Sequence, residues 1–334
     1  MIIWFSKKMK IFLIFNQNNP CTTGQYVFKE LLVNNEIYVL KEIKKLKNKV
    51  NEIKPDFILA IDDGSHYILD INYHPKIIWI IDSHTSFMCD IVMAKSFDLI
   101  FVAQKEYVEK FKKVNKNTYW LPLACDPEWH GKQNLEKVYD IAFIGQIGKG
   151  WRKKLLLNLK RDFPNSFISS GDCKDIGKIY SQAKIVVNYN VNNDINMRVF
   201  EALCSGSLLM TNKIKNNGFE ELFEDKKHLV VYDGTYKDLR KKIEYYLKNE
   251  SEREKIAANG RKLALEKHTY KNRVDFILEK ILEIQSNKAY FINHSNLYYK
   301  FLKLQLFFRF LFWKIIYLRI WILFKEIYTI LFFK

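Results

Sequence analysis

Short apolar runs alternate with longer amphipathic stretches along the whole chain, and this pattern predicts strands separated by helices. The predicted strands of the first half are Lys10–Phe15, Ile37–Leu40, Phe57–Ile61, Lys76–Ile81, Leu99–Val102 and Tyr119–Leu123. Those of the second half are Tyr139–Ile144, Ser166–Ser170, Ile185–Asn188, Ser207–Thr211 and His228–Tyr232. Such alternation is typical of an α/β fold, here with two parallel, doubly wound sheets and a ligand cleft between them.

A polar linker interrupts the alternation around Asp126–Lys137 and divides the chain. We therefore expect a Rossmann-like domain over residues 9–130 and a second one over residues 136–285. A chain of 334 residues is long enough for two such domains and an appendage. The appendage is a tail over residues 296–334.

The tail is rich in Leu, Ile, Phe, Tyr and Trp, but charged residues interrupt it too often for a transmembrane helix. Its lysines recur at helical spacing on one stripe, with two arginines beside them: Lys300, Lys303, Lys314 and Lys325, and Arg309 and Arg319. This pattern predicts an amphipathic helix on an anionic membrane surface, which the two domains do not need for folding. The alternative is a helix that packs on the protein or on a partner subunit.

The stretch Asp194–Gly206 (DINMRVFEALCSG) follows a predicted strand and opens a predicted helix, for which Asp194 is a suitable N-cap. Ligands of parallel α/β sheets bind at such junctions, and a helix N-terminus with Arg198 favours an anion. Glu201 lies two turns after Asp194, so both carboxylates can share one face of the helix. A nucleotide sugar would suit this arrangement; an ordinary capped helix is the alternative.

Composition adds little that is specific. The formal net charge of +17 would suit nucleic acid, an anionic membrane or a phosphorylated substrate, but the chain carries no recognisable nucleic-acid-binding motif. Five scattered cysteines predict neither a zinc site nor a disulfide framework, which favours a reducing cytoplasm. Asp62 and Asp63 resemble a metal-binding pair, although a turn with Gly64 is the better interpretation.

The second half resembles the C-terminal domain of the glycosyltransferase-B (GT-B) fold, and more narrowly the CgeB-like, spore-maturation-type glycosyltransferases. The resemblance rests on Tyr180–Asn188, Asp194–Gly206, Gly218–Phe223, His228–Asp233, Glu252–Gly260 and His268–Arg273. The first half is similar to the paired domain at Trp79–His84 and Trp120–Asp126. The resemblance implies retaining transfer from a nucleotide sugar to a glycan, lipid-linked or protein acceptor. Neither a metal nor a cofactor is implied. The tail, together with the cysteine pattern, predicts a protein of the cytoplasm at the inner face of the membrane.

The resemblance also implies roles for individual residues. On the donor side it implies that Glu201 binds the ribose, that Arg198 faces the pyrophosphate, and that a larger set completes the site: Gly145, Gly148, Lys149, Arg152, Asn188 and Asn196. Asp82 and His84 would act on the acceptor hydroxyl or on the donor sugar. The family commonly has a glutamate where this chain has Asn193, so either the neighbouring Asp194 replaces it or the donor sugar is held differently. A catalytically inactive sugar- or nucleotide-binding protein of the same fold is the second hypothesis.

Overall fold

The structure is a computed structural model that describes residues 8–18, 20–40, 45–62, 64–171, 173–286, 291 and 293–332. In the last helix it describes side chains only up to residue 312 and at Lys314, Ile315 and Arg319. Two parallel sheets organise this part of the chain, as the alternation of strands and helices predicts.

The first sheet has six strands in the order β2-β1-β3-β4-β5-β6, and helices follow most of them. The strands are β1 Lys10–Ile14, β2 Glu36–Val39, β3 Phe57–Ile61, β4 Lys76–Ile80, β5 Leu99–Val102 and β6 Thr118–Trp120. The helices are α1 Thr23–Leu32, α2 Leu46–Ile53, α3 Ser83–Met93 and α4 Lys105–Lys112. The central strands β3, β4 and β5 are buried throughout, because side chains from both sheet faces enter separate apolar clusters.

The second sheet has five strands in the order β11-β10-β9-β7-β8. Its strands are β7 Tyr139–Ile144, β8 Ser166–Ser169, β9 Ala183–Asn188, β10 Leu208–Asn212 and β11 Val230–Tyr232. Its helices, preceded by the short α5 Pro127–His130, are α6 Gly150–Asp162, α7 Ile176–Ser181, α8 Met197–Cys204, α9 Phe219–Leu222, α10 Tyr236–Lys248 and α11 Glu250–Lys267. The strand–loop–helix arrangement expected around Asp194–Gly206 is thus formed by β9 and α8.

Helix α12, Tyr270–Ser286, returns to the first sheet. The ring of Phe276 lies 6.0 Å from that of Phe101 and 6.3 Å from that of Tyr119, centroid to centroid. Near the end of the helix, the side chain of Gln285 donates a hydrogen bond to the backbone carbonyl of Asp56. The residues assigned by sequence to the end of the second domain therefore pack on the first.

The last helix, α13 Asn296–Phe332, packs one face of its first three turns on the first domain. Tyr299, Leu302 and Leu306 are buried against Ile68 and Val92. The spacing of three and four residues places these three side chains on one face of the helix. Removing the tail would uncover this apolar cluster, so the first turns of α13 contribute to the packing of the first domain. That the two domains fold without the tail stays a prediction.

The predicted basic stripe also differs from expectation, because two cations of the tail contact the first domain. Lys303 forms an ion pair with Asp70 at 2.5 Å, and Arg309 donates to the backbone carbonyl of Met88. Both cations therefore reach toward the first domain, while the Lys325 side chain lies outside the described residues. Among the residues that are described, no helix combines the length and apolar character needed to cross a membrane.

A disulfide joins Cys21, in the loop after β1, to Cys173, in the segment after β8. The Cα atoms are 6.1 Å apart, and the bond links the first domain to the second. The expectation that the scattered cysteines form no disulfide is therefore wrong. A separation of 152 residues gave no local pattern from which this pair could be predicted. The remaining cysteines, Cys89, Cys125 and Cys204, are buried thiols.

Candidate functional site

The two sheets meet at the carboxyl ends of their strands, where ligands of parallel α/β folds bind. Gln104 comes directly after β5 and donates from Nε2 to Oδ1 of Asp194, which follows β9, at 3.0 Å. Beside this contact, Lys105 forms an ion pair with Glu221 of the second domain. These contacts, with the disulfide, hold the two domains around one cleft.

Glu201 lies in the second turn of α8, and its side chain is 5% exposed. Its carboxylate lies 3.7 Å from Nε2 of His130 but accepts no hydrogen bond from any residue in the described part of the chain. Burial raises the pKa of this carboxyl to about 7, although the nearby guanidinium of Arg198 acts in the opposite direction. A buried carboxylate that accepts no hydrogen bond is costly, and a ligand with two adjacent hydroxyls would satisfy it.

His130, which was not predicted from the sequence, is the neighbour of Glu201. The backbone N–H of Asp126 donates to Nδ1 of His130 at 2.9 Å, so the proton of the neutral ring is on Nε2. This nitrogen lies 3.1 Å from the hydroxyl of Tyr26 in the first domain. Burial lowers the pKa of His130 to about 4, which keeps the ring neutral near pH 7. His130 thus presents an N–H group toward Tyr26 and Glu201.

Arg198, one turn earlier on α8, is held against the end of β7. Its Nε donates to the carbonyl of Ile144 at 3.0 Å and its Nη1 to Oδ1 of Asn188 at 2.8 Å. The guanidinium lies 4.3 Å from the centroid of the Phe143 ring. Gly145 has a φ of +142°, and a Cβ atom there would lie 2.1 Å from Nη2 of Arg198. Only glycine allows the arginine to approach this loop so closely.

A second arginine borders the same loop. Arg152 donates from Nε to the carbonyl of Ile147, and its Nη2 would lie 2.7 Å from a Cβ atom on Gly148. Its pKa is lowered first by burial and then by the positive charge of Arg198. Among the described residues, neither arginine has a carboxylate within 4.0 Å.

Helix α6 begins at the end of this loop. Its N-cap residue, Lys149, is exposed and makes no side-chain capping hydrogen bond. The amides in the first turn of α6 therefore have no side-chain acceptor from Lys149. Two unneutralised guanidinium groups beside a glycine loop and a helix N-terminus form an electropositive site that suits an anion such as a pyrophosphate.

The two asparagines predicted on the donor side differ in whether they keep a hydrogen-bonding atom free for a ligand. Asn188 is fully buried; its Oδ1 accepts from Arg198 and Asn196, and its Nδ2 donates to Asn190 and Thr211. Asn188 therefore holds Arg198 in place instead of presenting a free group. Asn196 donates to the side chains of Asn188 and Asn190, but its own Oδ1 is buried without a partner in the described chain. That oxygen is available to a ligand.

Asp194 does not cap α8, contrary to the sequence prediction; Asn196 occupies the N-cap position. The carboxylate of Asp194 turns into the cleft toward Gln104 instead. The preceding residue, Asn193, has a φ of +61°, and its side-chain amide pairs with the backbone N–H and carbonyl of Lys215. Asparagine tolerates this left-handed conformation. Asn193 therefore faces a neighbouring loop, and the carboxylate that enters the cleft belongs to Asp194.

The structure brings the predicted residues of the two halves together. Asp82 and His84 lie at the end of β4 and the start of α3, across from Asp194. Burial raises the pKa of Asp194, His84 acts to lower it, and Asp82 raises it further. The Nδ1 atom of His84 is buried without a described partner. Gln104 also accepts a hydrogen bond from the backbone N–H of Ser83, and thus connects both sides of the cleft.

Metal ligation has no evident basis in the described chain, where no three His, Cys, Asp or Glu side chains converge as ligands would. Asp62 is buried and accepts a hydrogen bond from the N–H of Gly64, as expected for a turn. Asp63 lies outside the described residues.

Comparison with known proteins identifies the fold. The sequence profile of a family described as glycosyl transferase-like matches residues 132–279. No curated protein matches the sequence significantly. Sucrose-phosphate synthase from Thermosynechococcus elongatus superposes with a TM-score of 0.62 at 9% identity, over 84% of this chain and 100% of that one.

Two further solved structures superpose over most of the chain. HepE (Alr3699) of Anabaena, solved with UDP and glucose, has a TM-score of 0.60 at 12% identity, over 82% of this chain and 100% of that one. A glycosyltransferase from Rickettsia africae has a TM-score of 0.57 at 12% identity, over 84% of this chain and 99% of that one. The chain therefore has the two-domain GT-B fold, and residues 132–279 are similar to a family described as glycosyl transferase-like.

Proposed function

We propose that the protein transfers a sugar from a nucleotide-sugar donor to an acceptor hydroxyl, with retention at the anomeric carbon and without a metal ion. The observation that carries the proposal is the pair Arg152 and Arg198, which have no carboxylate partner in the described chain and flank a glycine loop. The structural neighbour HepE was solved with UDP and with UDP-glucose, which supports a donor of this class. Within the fold, the motif Asp194–Gly206 favours the CgeB-like group.

The donor is arranged along the second domain in this proposal. Its pyrophosphate lies between the two guanidinium groups and the first amides of α6, and its ribose hydroxyls bind the carboxylate of Glu201. Negative charge grows on the leaving phosphate as the glycosidic bond breaks, and fixed cations stabilise that charge most in the transition state. The two arginines would thereby supply the compensation that other transferases obtain from a metal ion.

The transferred sugar then points toward Asp194 and across the cleft to Asp82 and His84. Asp194 accepts a hydrogen bond from a sugar hydroxyl. For retention, the acceptor oxygen approaches the anomeric carbon on the face from which the phosphate leaves. The bond from that carbon to the phosphate oxygen breaks, the bond to the acceptor oxygen forms on the same face, and the acceptor proton passes to Asp82. Burial raises the pKa of Asp82, which makes it a stronger base than an exposed aspartate.

The reaction takes place at a membrane surface in this proposal. The first half of α13 exposes a set of large apolar side chains: Leu297, Phe301, Leu304, Phe307, Phe308, Phe310, Leu311, Phe312 and Ile315. A contiguous apolar face of this kind marks an interaction site. Lys300 lies exposed on the same helix, and cations beside an apolar face favour anionic lipid over a neutral protein partner.

Binding of UDP tests the donor site directly. We expect Arg198→Ala and Arg152→Ala each to weaken UDP binding in calorimetry by about 10- to 150-fold, since a charge-assisted hydrogen bond contributes about 1.5–3 kcal/mol. Arg161→Ala is the matched control, because Arg161 lies exposed on the same helix as Arg152. Equal effects of all three substitutions, or no UDP binding by the parent protein, would contradict the proposal.

Turnover separates an active enzyme from the inactive binding protein. An active transferase should slowly hydrolyse at least one nucleotide sugar from a panel of common donors, and Arg198→Ala should lower kcat more than it raises KM. Binding without any hydrolysis or transfer would favour the inactive protein. Retention requires that the sugar released from an α-linked donor first appears as the α anomer in NMR spectra; the β anomer would contradict it.

Flotation with vesicles tests the membrane surface. The parent protein should float with vesicles that contain anionic lipid, and less so in high salt because salt screens the lysines. Replacing Phe301, Phe308 and Phe312 by serine should abolish flotation and leave the buried face of α13 intact. Flotation of the triple variant, or a dimer that dissociates in that variant, would make this face a protein interface instead.

A further inference from the structure

A cavity of about 940 Å³ lies between the first domain and the inner side of α13. The loop of residues 64–71, which connects β3 to β4, forms one wall, and the first turns of α13 form the other. Part of its lining is apolar, at Ile68, Ile71, Leu306, Phe307 and Phe310, and part is polar or charged, at His66, Lys47 and the ion pair of Asp70 and Lys303. This volume is in the range of small-molecule binding cavities. None of the donor residues described above lines it.

One end of the cavity abuts the side of the cleft opposite the donor. Gly64 lines the cavity, and its N–H donates to Oδ1 of Asp62 at 3.0 Å. His66 also lines the cavity, with Nε2 3.1 Å from Oδ1 of Asp90. Asp62 follows β3 and Asp82 follows the neighbouring strand β4, so both lie at the same edge of the first sheet. Asp62 and Asp82 do not themselves line the cavity, but Gly64, which contacts Asp62, forms part of its wall.

Asp62 itself has an unused hydrogen-bonding atom. Its side chain is only 4% exposed, and its Oδ2 is buried without a partner among the described residues. Burial raises the pKa of this carboxyl to about 7, and the charges of Asp90 and Asp82 add to the effect. A buried carboxyl oxygen without a partner destabilises the fold, so a turn alone does not account for Asp62. A ligand hydroxyl at this point would satisfy the oxygen.

The other end of the cavity reaches the exposed face of α13. Phe307 and Phe310 line the cavity and are also 59% and 44% exposed. These rings belong both to the cavity and to the surface proposed to contact lipid. A hydrocarbon chain could therefore pass from the membrane into the cavity along the helix.

We propose that the acceptor is an amphiphile whose hydrocarbon chain occupies this cavity and whose hydroxyl-bearing headgroup reaches Asp62 and Asp82. The inference rests on the proposed transfer reaction and narrows its acceptor to a lipid-linked one. Three observations carry it: the apolar lining, the continuity with the outer face of α13, and the unpartnered oxygen of Asp62 beside the proposed base. A polar glycan or a protein side chain would leave the apolar walls without a partner.

A fluorescent chain, dansyl-undecanoate, is a suitable probe for the cavity. The parent protein should bind it saturably, with one probe per chain. Ser65→Trp places an indole at the cavity wall without changing charge, and should weaken binding of the probe at least tenfold. Asn34→Trp is the control, because Asn34 is exposed after α1 and does not line the cavity. Donor hydrolysis and UDP affinity should be the same in both variants.

The outcomes distinguish the two proposals. If the parent protein does not bind the probe saturably, or if Ser65→Trp and Asn34→Trp bind it equally, the lipid cavity is refuted whatever UDP does. Equal binding by the two variants would mean that the probe binds to the outer face of α13 and not in the cavity. If the probe behaves as expected but the parent protein does not bind UDP, the cavity stands and the transferase proposal fails.

Discussion

Replacing Glu201 by glutamine should stabilise the free protein and at the same time weaken its binding of UDP. The carboxyl has a pKa of about 7 in the folded chain, against 4.5 as its ordinary value. Each tenfold change in acidity is worth about 1.4 kcal/mol, so the buried carboxylate costs roughly 3 kcal/mol of folding stability above pH 7. Glutamine has nearly the same shape and carries no charge, which removes this cost.

The sign of the pH dependence follows from the raised pKa. Below pH 4.5 the carboxyl of Glu201 is protonated in both the folded and the unfolded chain, so the parent protein and the variant should be equally stable. Between pH 4.5 and about 7 only the unfolded chain loses its proton, and the parent protein becomes progressively less stable than Glu201→Gln. Above pH 7 the difference should stay constant at roughly 3 kcal/mol.

UDP binding should change in the opposite direction. The ribose hydroxyls donate to an ionised carboxylate in the proposed complex, so the affinity of the parent protein should rise with pH up to about 7. The variant keeps one acceptor oxygen and should lose about 1.5–3 kcal/mol, which is a factor of about 10 to 150 in Kd. His130 should not contribute in this window, because burial holds its pKa at about 4.

Urea denaturation and calorimetry with UDP, each from pH 4 to 8, measure both effects. For Glu201→Gln we expect a higher free energy of unfolding together with weaker UDP binding. If Glu201→Gln destabilises the protein above pH 7, the carboxylate is engaged by the protein and the burial argument fails. If stability rises but UDP affinity is unchanged at every pH, Glu201 lies outside the donor site.

Three further predictions test other parts of the structure. Gly145→Ala should displace Arg198 and reduce UDP affinity at least tenfold. Gly150→Ala is the control: Gly150 also has a positive φ, but nothing lies within 4 Å of its Cβ position, so the substitution should cost only about 1 kcal/mol of stability. Equal UDP affinities of the two variants would contradict the role of the close contact. Gln104→Ala should break the hydrogen bond across the cleft and lower turnover while UDP affinity is retained, and unchanged turnover would remove Gln104 from the site. Titration of the denatured, unreduced protein should find three thiols, and five would show that the disulfide is not formed.

The sequence predicted the features that depend on local pattern. Buried strands such as β3 and β9 are continuous apolar runs, and the junction at Asp194–Gly206 was recognisable because strand, polar loop and helix follow one another directly. The close contact between Arg198 and Gly145 could be predicted only in part. The sequence shows a glycine loop after a strand, but not that Arg198 packs against it. The N-cap role predicted for Asp194 was wrong, because its contact with Gln104 spans 90 residues and has no sequence signal.

The parts that were missed all depend on long-range contacts. His130 becomes a neighbour of Glu201 only when the two domains close around the linker, and nothing near His130 in the chain indicates this. The tail shows the same limit. Its apolar composition predicted a helix with an exposed face, but the docking of Tyr299 and Leu302 depends on the shape of a loop far away in the sequence.

The disulfide changes how the chain is connected as a whole. The polypeptide passes from the first half to the second through residues 131–138 and returns at the junction of α11 and α12, so the bond from Cys21 to Cys173 is a third covalent route. A protease that cuts once within residues 131–138 would therefore leave one molecule on a non-reducing gel and two fragments after reduction. The oxidised chain is a closed ring through both halves, and this ring limits how far one half can swing away from the other.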